Sequence, residues 1–325
     1  MQRLNDQLDR AMPLITPTSV IVGVLFADSF QAYSFLVPWI FAFMTFSGSL
    51  RSNFSSFKRT LSHPLPILLV LFILHIWMPL WAWGLGHLVF SGDHFTITGL
   101  LLATVIPTGI TSLIWVSIHK GNVALTLCII LIDTFLSPFI VPYSLSILIG
   151  QSVMMDVWEM TKGLFGMIVF PSILGMILNQ MTAGNIQKTL GPRLAVFSKI
   201  GVMAVIMING AVISPYLVNL DRKLLTIVFV VLLLSSSGYA FSWFIGKFAR
   251  LEKDEIIALT FTGGMRNISA GAVLAISYFE ASIAVPVVIG ILFQQVIASF
   301  YGYMLNRFYH RLECEECMQY KETEG

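Results

Sequence analysis

Apolar stretches of roughly twenty residues alternate with short polar loops from one end of this chain to the other. They run near 11–28, 31–48, 65–90, 97–118, 122–148, 160–179, 196–217, 223–247, 256–279 and 282–306. At a 1.5 Å rise per residue such a stretch crosses the roughly 30 Å of bilayer hydrocarbon as a helix. None shows the short alternating pattern of a membrane strand. The pattern predicts about ten transmembrane helices, those near 31–48 and 97–118 being the least hydrophobic. The loops sort by charge. Arg3 and Arg10 precede the first span, and Arg51, Lys58 and Arg59 follow the second. His119 and Lys120 follow the fourth, Lys188, Arg193 and Lys199 the sixth, Lys247, Arg250 and Lys253 the eighth, and Arg307 and Arg311 the last. The alternate loops, at Gly92, Asp93 and His94, around Asp156 and Glu159, and at Glu280, are poor in Lys and Arg; Arg222 and Lys223, beside Asp221, are the exception. By the positive-inside rule both termini are cytoplasmic, as an even span number also requires.

The two halves correspond. The third and eighth spans, the fourth and ninth, and the fifth and tenth are each offset by about 160 residues, and an odd five-span unit repeated once must insert upside down the second time. The expectation is an all-α integral membrane protein made of two inverted five-helix repeats, residues 1–159 and 160–306, followed by a cytosolic tail at 307–325.

Composition sharpens this picture. Of 325 residues, 56% are hydrophobic and 11% charged, with a mean hydropathy of +0.82; a soluble domain carries about 25% charged residues. The formal net charge of +2 gives no reason to expect a nucleic-acid partner; the lipid bilayer is the expected one, in the cell (inner) membrane. The first ten residues mix acids with bases and lack a signal-peptide pattern, so they read as a cytosolic lead-in. Cys128 lies within an apolar run. Cys314 and Cys317, near His310, form one Cys-x-x-Cys pair, short of the four ligands of a structural zinc site. No phosphate-binding Gly-x-x-x-x-Gly-Lys loop, His-Glu-x-x-His or Gly-x-Ser-x-Gly element occurs, so an enzyme is not expected and energy would come from gradients. No cofactor is called for, with sodium left open.

Three stretches carry polar chemistry within apolar spans. In the ninth, Gly263, Gly264, Arg266, Asn267 and Ser269 follow Thr262. The glycines weaken the helix, and an arginine at this depth must face protein, water or ligand. In the fourth, Pro107 removes a backbone donor, leaving Thr108, Thr111 and Ser112 either to cap a kink or to ligate a cation. In the fifth, Thr126, Ile130 and Asp133 share one helical face, with Asp133 about 16 Å into the span. Asp133 is either functional or the partner of a buried pair with Arg266. Breaks at Pro107 to Gly109 and at Gly263 and Gly264 occupy matching places in the two halves, the pattern from which many secondary transporters build a midplane site. Elsewhere, His75 reads as packing or a proton shuttle, Gln294 and Gln295 as bonding across helices, and Ser235 to Gly238 as a close-packing stripe.

The run from Pro107 to Ser112, then His119 to Thr126, Ser137 with Pro138, and Gly264 to Asn267 resemble the bile acid:sodium symporter family. The resemblance implies a panel domain of spans 1, 2, 6 and 7 and a core domain of spans 3–5 and 8–10. It further implies crossed broken helices and a small organic anion bound with sodium near the crossing. This chain departs from the sodium-coupled pattern at several places. Thr262 stands where a glutamate is expected, Arg266 and Leu74 where glutamines are, Leu113 where an asparagine is and Ile130 where a hydroxyl is. Ser112, Thr126 and Asn267 remain, the first two as residual sodium positions. A guanidinium 4 Å from a cation costs about 4 kcal/mol at an effective dielectric near 20. The expectation is therefore an organic-anion transporter working by alternating access with weakened or lost sodium coupling. Arg266 would stand in for the cation, with Asp133 balancing it or carrying a proton, or would grip the substrate carboxylate itself. A non-transporting binding protein, a proton-coupled carrier and an exporter of small carboxylates are the alternatives.

Overall fold

The structure is a computed structural model that describes residues 2–50, 64–150, 153, 155–217 and 221–323, without the side chains of 2–6, 9–13, 16 and 310–323. The basic loop at Arg51, Lys58 and Arg59 lies outside the described residues, as do the side chains of His310, Cys314 and Cys317. Each expected apolar stretch forms helix, two of them with a break. In chain order these are α1 (Gln2–Leu25), α2 (Ala27–Ser49) and α3 (Pro64–Val89), α4 (His94–Val105), α5 (Ser112–Ile118) and α6 (Val123–Ile149). There follow α7 (Val157–Met181), the short α8 (Asn185–Thr189), α9 (Gly191–Leu217), α10 (Arg222–Phe248), α11 (Lys253–Gly264), α12 (Ile268–Tyr278) and α13 (Ala284–Thr323). Among the described residues, seven helical segments are long and apolar enough to cross a membrane, and α4 and α12 are shorter apolar helices. The segment expected as a tail continues α13 without interruption to Thr323.

Helix starts follow local chemistry. Asp93, Asn122, Asp156, Asp221 and Asn267 each accept a backbone N–H from the first turn of α4, α6, α7, α10 and α12, which satisfies donors that a helix leaves orphaned. Large apolar side chains such as Leu14, Trp39, Leu88, Ile147 and Phe248 point outward, a surface suited to lipid rather than water. Inside, one apolar cluster draws on helices throughout the chain. A second, built around Leu74, Leu125, Ile129, Tyr239, Phe261 and Tyr301, takes its buried members, among the described residues, from α3, α5, α6, α10, α11 and α13, with Met265 from the α11–α12 link.

Two apolar runs are interrupted, both near where the sequence predicts. The fourth breaks between Val105 and Ser112, around Pro107. The ninth breaks at Met265 and Arg266, just beyond the expected glycines, which remain in the last turn of α11. Met265 is extended there, with φ −88° and ψ 133°. Gly264 serves close packing: a Cβ on it would enter the ring of Tyr239.

Candidate functional site where two broken helices cross

The extended links of the two broken helices run antiparallel across one another. Thr108 and Arg266 form an isolated β-bridge, and the Asn267 N–H donates to the Pro107 carbonyl at 2.8 Å. The Thr108 hydroxyl donates to the carbonyls of Thr262 (2.7 Å) and Met265 (3.0 Å). Backbone groups that a helix would have paired internally are thereby paired across the crossing, as irregular backbone at membrane depth requires.

Arg266 is 5% exposed. Its Nε donates to the Thr104 carbonyl at 3.1 Å and one terminal nitrogen, Nη1, to the Gly263 carbonyl at 2.7 Å. The guanidinium thus joins the end of α4 to the end of α11, while its backbone N–H donates to Gln294 Oε1 on α13 at 3.1 Å. The second terminal nitrogen, Nη2, is buried with no hydrogen-bond partner among the described residues. Arg266 also lines a cavity of about 30 Å³ with Met78, Thr104, Ser235, Tyr239 and Gln294, room for one or two waters.

Asp133 is fully buried, but the direct pair with Arg266 is absent. One carboxylate oxygen lies 2.7 Å from His75 Nε2, and the other accepts the Thr108 N–H at 2.5 Å. The two charges are held separately: the guanidinium donates to two carbonyls, while the carboxylate accepts one hydrogen bond, from the Thr108 N–H, and has the His75 ring at ion-pair distance from its other oxygen without the alignment of a hydrogen bond. His75 is therefore more than a packing residue.

The remaining candidates divide. Thr262 and Thr126 are fully buried, and their hydroxyls donate within their own helices, to the carbonyls of Ala258 and Asn122. Ser112 is fully buried with an unpartnered hydroxyl among the described residues. Asn267 is taken up in capping α12. Thr111 and Ser269 are half-buried, and among the described residues Thr111 makes no side-chain bond that caps α5. Gln294 and Gln295 bond across helices as expected, the latter accepting from Trp115 Nε1 at 3.0 Å. Tyr239, which the sequence did not single out, forms the wall behind Gly264; only the tight glycine pair on the ninth span hinted at a bulky neighbour.

Residues 38–220 match the Sodium Bile acid symporter family. An uncharacterized protein of Bacillus subtilis, YbaS, is 58% identical over 297 residues, covering 91% of this chain and 97% of its own. YocS, an uncharacterized sodium-dependent transporter of the same organism, is 26% identical over 82% of this chain and 83% of its own. BASS1, a probable chloroplastic sodium/metabolite cotransporter of Oryza sativa subsp. japonica, is 28% identical over 72% of this chain and 56% of its own. With the family match covering more than half its length and its apolar helices suited to crossing a membrane, this chain belongs to the sodium bile acid symporter family of membrane transporters.

Proposed function

We propose that this transporter carries a small organic anion by alternating access and that Arg266 performs with a tethered charge what a bound sodium ion would do with a mobile one. The observation that carries this reading is the guanidinium bridging the Thr104 and Gly263 carbonyls. Those carbonyls belong to the two helix ends left open by the breaks, where irregular backbone offers ligands to a coupling cation. A side chain already there both fills the space and repels an arriving ion. Thr262, which stands where the sodium-coupled pattern has a glutamate, supplies no charge, and its hydroxyl donates inside α11. Ser112 and Thr126 keep oxygen lone pairs but supply no charge.

In this reading spans 3–5 and 8–10, including α3 to α6 and α10 to α13, form a core that moves against a panel containing α1, α2, α7 and α9. The two halves insert in opposite senses, and both termini are cytoplasmic. The small cavity at Arg266 is too small for an organic anion, so a substrate enters only after the core has moved. A second reading is favoured by Nη2, buried and unpartnered among the described residues. A substrate carboxylate accepting from it would engage a donor that Thr104 and Gly263 leave free.

The test is thermal unfolding of purified protein in sodium, potassium or choline chloride, paired with uptake of a panel of organic anions into proteoliposomes. A ligand that binds the folded state raises its stability with excess over Kd. The expected outcome is no stabilisation specific to sodium, and uptake that persists when sodium is replaced. Selective stabilisation by sodium, or uptake abolished without it, would overturn the tethered-charge reading.

A further inference from the structure

We infer that His75 and Asp133 are the proton-binding site of this protein and that the proton they hold sets the firmness of the first helix break. Its role in flux rests on the transporter reading above; the binding itself does not. The two side chains come from α3 and α6 and meet at 2.7 Å, with the His75 side chain 8% and that of Asp133 0% exposed. His75 lies in a π-helical turn, Ile73–Trp77, a local widening of the helix found often at functional sites. Neither ring nitrogen makes a hydrogen bond among the described residues: Nε2 lies at ion-pair distance from Asp133 Oδ1 without hydrogen-bond alignment, and Nδ1 faces no partner, so nothing there fixes the ring in one tautomer or holds Nδ1 away from a proton. A proton arriving at Nδ1 makes an imidazolium against the carboxylate; one passed through the ring reaches Asp133 Oδ1 instead.

Either way the negative charge available at the other carboxylate oxygen falls. That oxygen holds the Thr108 N–H, and charge-assisted hydrogen bonds weaken when the charge is removed. Thr108 in turn carries the bridge to Arg266 and the hydroxyl bonds to the Thr262 and Met265 carbonyls. Proton binding therefore loosens the crossing, and proton release tightens it. The other titratable or charged groups close to this assembly are Arg266 at the ninth-span break, Tyr239 on α10 and Tyr301 stacked on it from α13. Farther along, His119 is engaged with Asn306 and Asp254 with Asn122. A fixed guanidinium beside a site that alternates between one net negative charge and none gives the crossing two charge states without a metal ion.

Two measurements on purified full-length protein test this. Nitrogen-15 NMR of the histidines reads whether His75 takes up a proton between about pH 5 and 9. Hydrogen–deuterium exchange of the peptide containing Ile106 to Gly109, corrected for intrinsic rates, reads the firmness of the break. In the native protein His75 titrates and protection of that peptide falls about tenfold as it does so. In His75→Gln the peptide loses its pH dependence; in Asp133→Asn it is weakly protected at every pH. A His75 that does not titrate, or a pH-dependent break that persists in His75→Gln, would refute the proton site. Should Asp133→Asn not fold, His75→Gln and the native titration decide alone. An intact titration with no anion taken up into proteoliposomes would instead remove the transporter reading and leave the proton site standing.

Discussion

Around Arg266 single atoms decide the geometry. Gly264 ends α11 so close to Tyr239 that a methyl group would lie inside the ring, and Tyr239 is itself fully buried and stacked on Tyr301 at 5.0 Å. The ring cannot retreat without displacing a second aromatic. Gly264→Ala is therefore expected to cost about 1–3 kcal/mol, as overpacking in a filled core does, measured by thermal unfolding of the purified protein. A cost near zero would mean the stack is soft. The sequence made Arg266 and Asp133 conspicuous, because charges within apolar spans are rare. Their partners were not legible. His75 and Asp133 come from different helices, and helical periodicity reports which face a residue occupies, not what stands opposite it. The carbonyls of Thr104 and Gly263 could not be foreseen at all, since every residue has one and only the broken geometry makes these two available.

Single helices tell a similar story. The fourth-span break followed from Pro107, which removes a donor whatever surrounds it. The ninth lies immediately beyond the expected glycines, because glycine permits a break without compelling one, and here Gly264 is spent on packing. The N-terminal end of α4 is fixed by Asp93, which caps the helix through the Thr96 N–H at 3.2 Å and meets Lys223 of α10 at 2.7 Å. Partial burial pushes the Asp93 carboxyl upward, but the hydrogen bonds from Lys223 and Thr96 outweigh it and hold the group below its ordinary value. A carboxyl depressed on folding adds stability above its unfolded value, and that stability is lost as pH falls through its folded value. Asp93→Ala is expected to remove about 1 kcal/mol at neutral pH, the typical worth of an N-cap, with the deficit shrinking at acid pH as the native carboxylate is also protonated. Unfolding of both proteins followed across that range checks it; a deficit that grew on acidification would contradict the assignment.

For the whole molecule, alternating access demands that some seams slide while others hold. Where a backbone carbonyl presses on a glycine, neither chain can shift far without collision. Gly23 of α1 faces the Met207 carbonyl of α9, and Gly99 of α4 faces the Ile283 carbonyl and the Pro286 ring before and within α13. The first seam joins two helices of the proposed panel, the second two of the proposed core. Between the groups, Gly163 of α7 meets the hydroxyl end of Tyr278 on α12, a side chain that can swing aside. The second apolar cluster agrees, since all its helices belong to the proposed core. Hydropathy alone revealed where the helices lie, but not which of them are locked together, because that depends on how closely particular backbones approach. The grouping predicts an ordering. Gly23→Ala and Gly99→Ala each place a methyl against backbone and should cost about 1–3 kcal/mol. Gly163→Ala should cost less, because Tyr278 can move, yet it should alter the rate of anion uptake by propping the two groups apart. Thermal unfolding of the three variants, followed by tryptophan fluorescence, measures the first part and proteoliposome uptake the second. If Gly163→Ala were as destabilising as the other two, α7 and α12 would belong to one rigid body, and the line between panel and core would have to be redrawn.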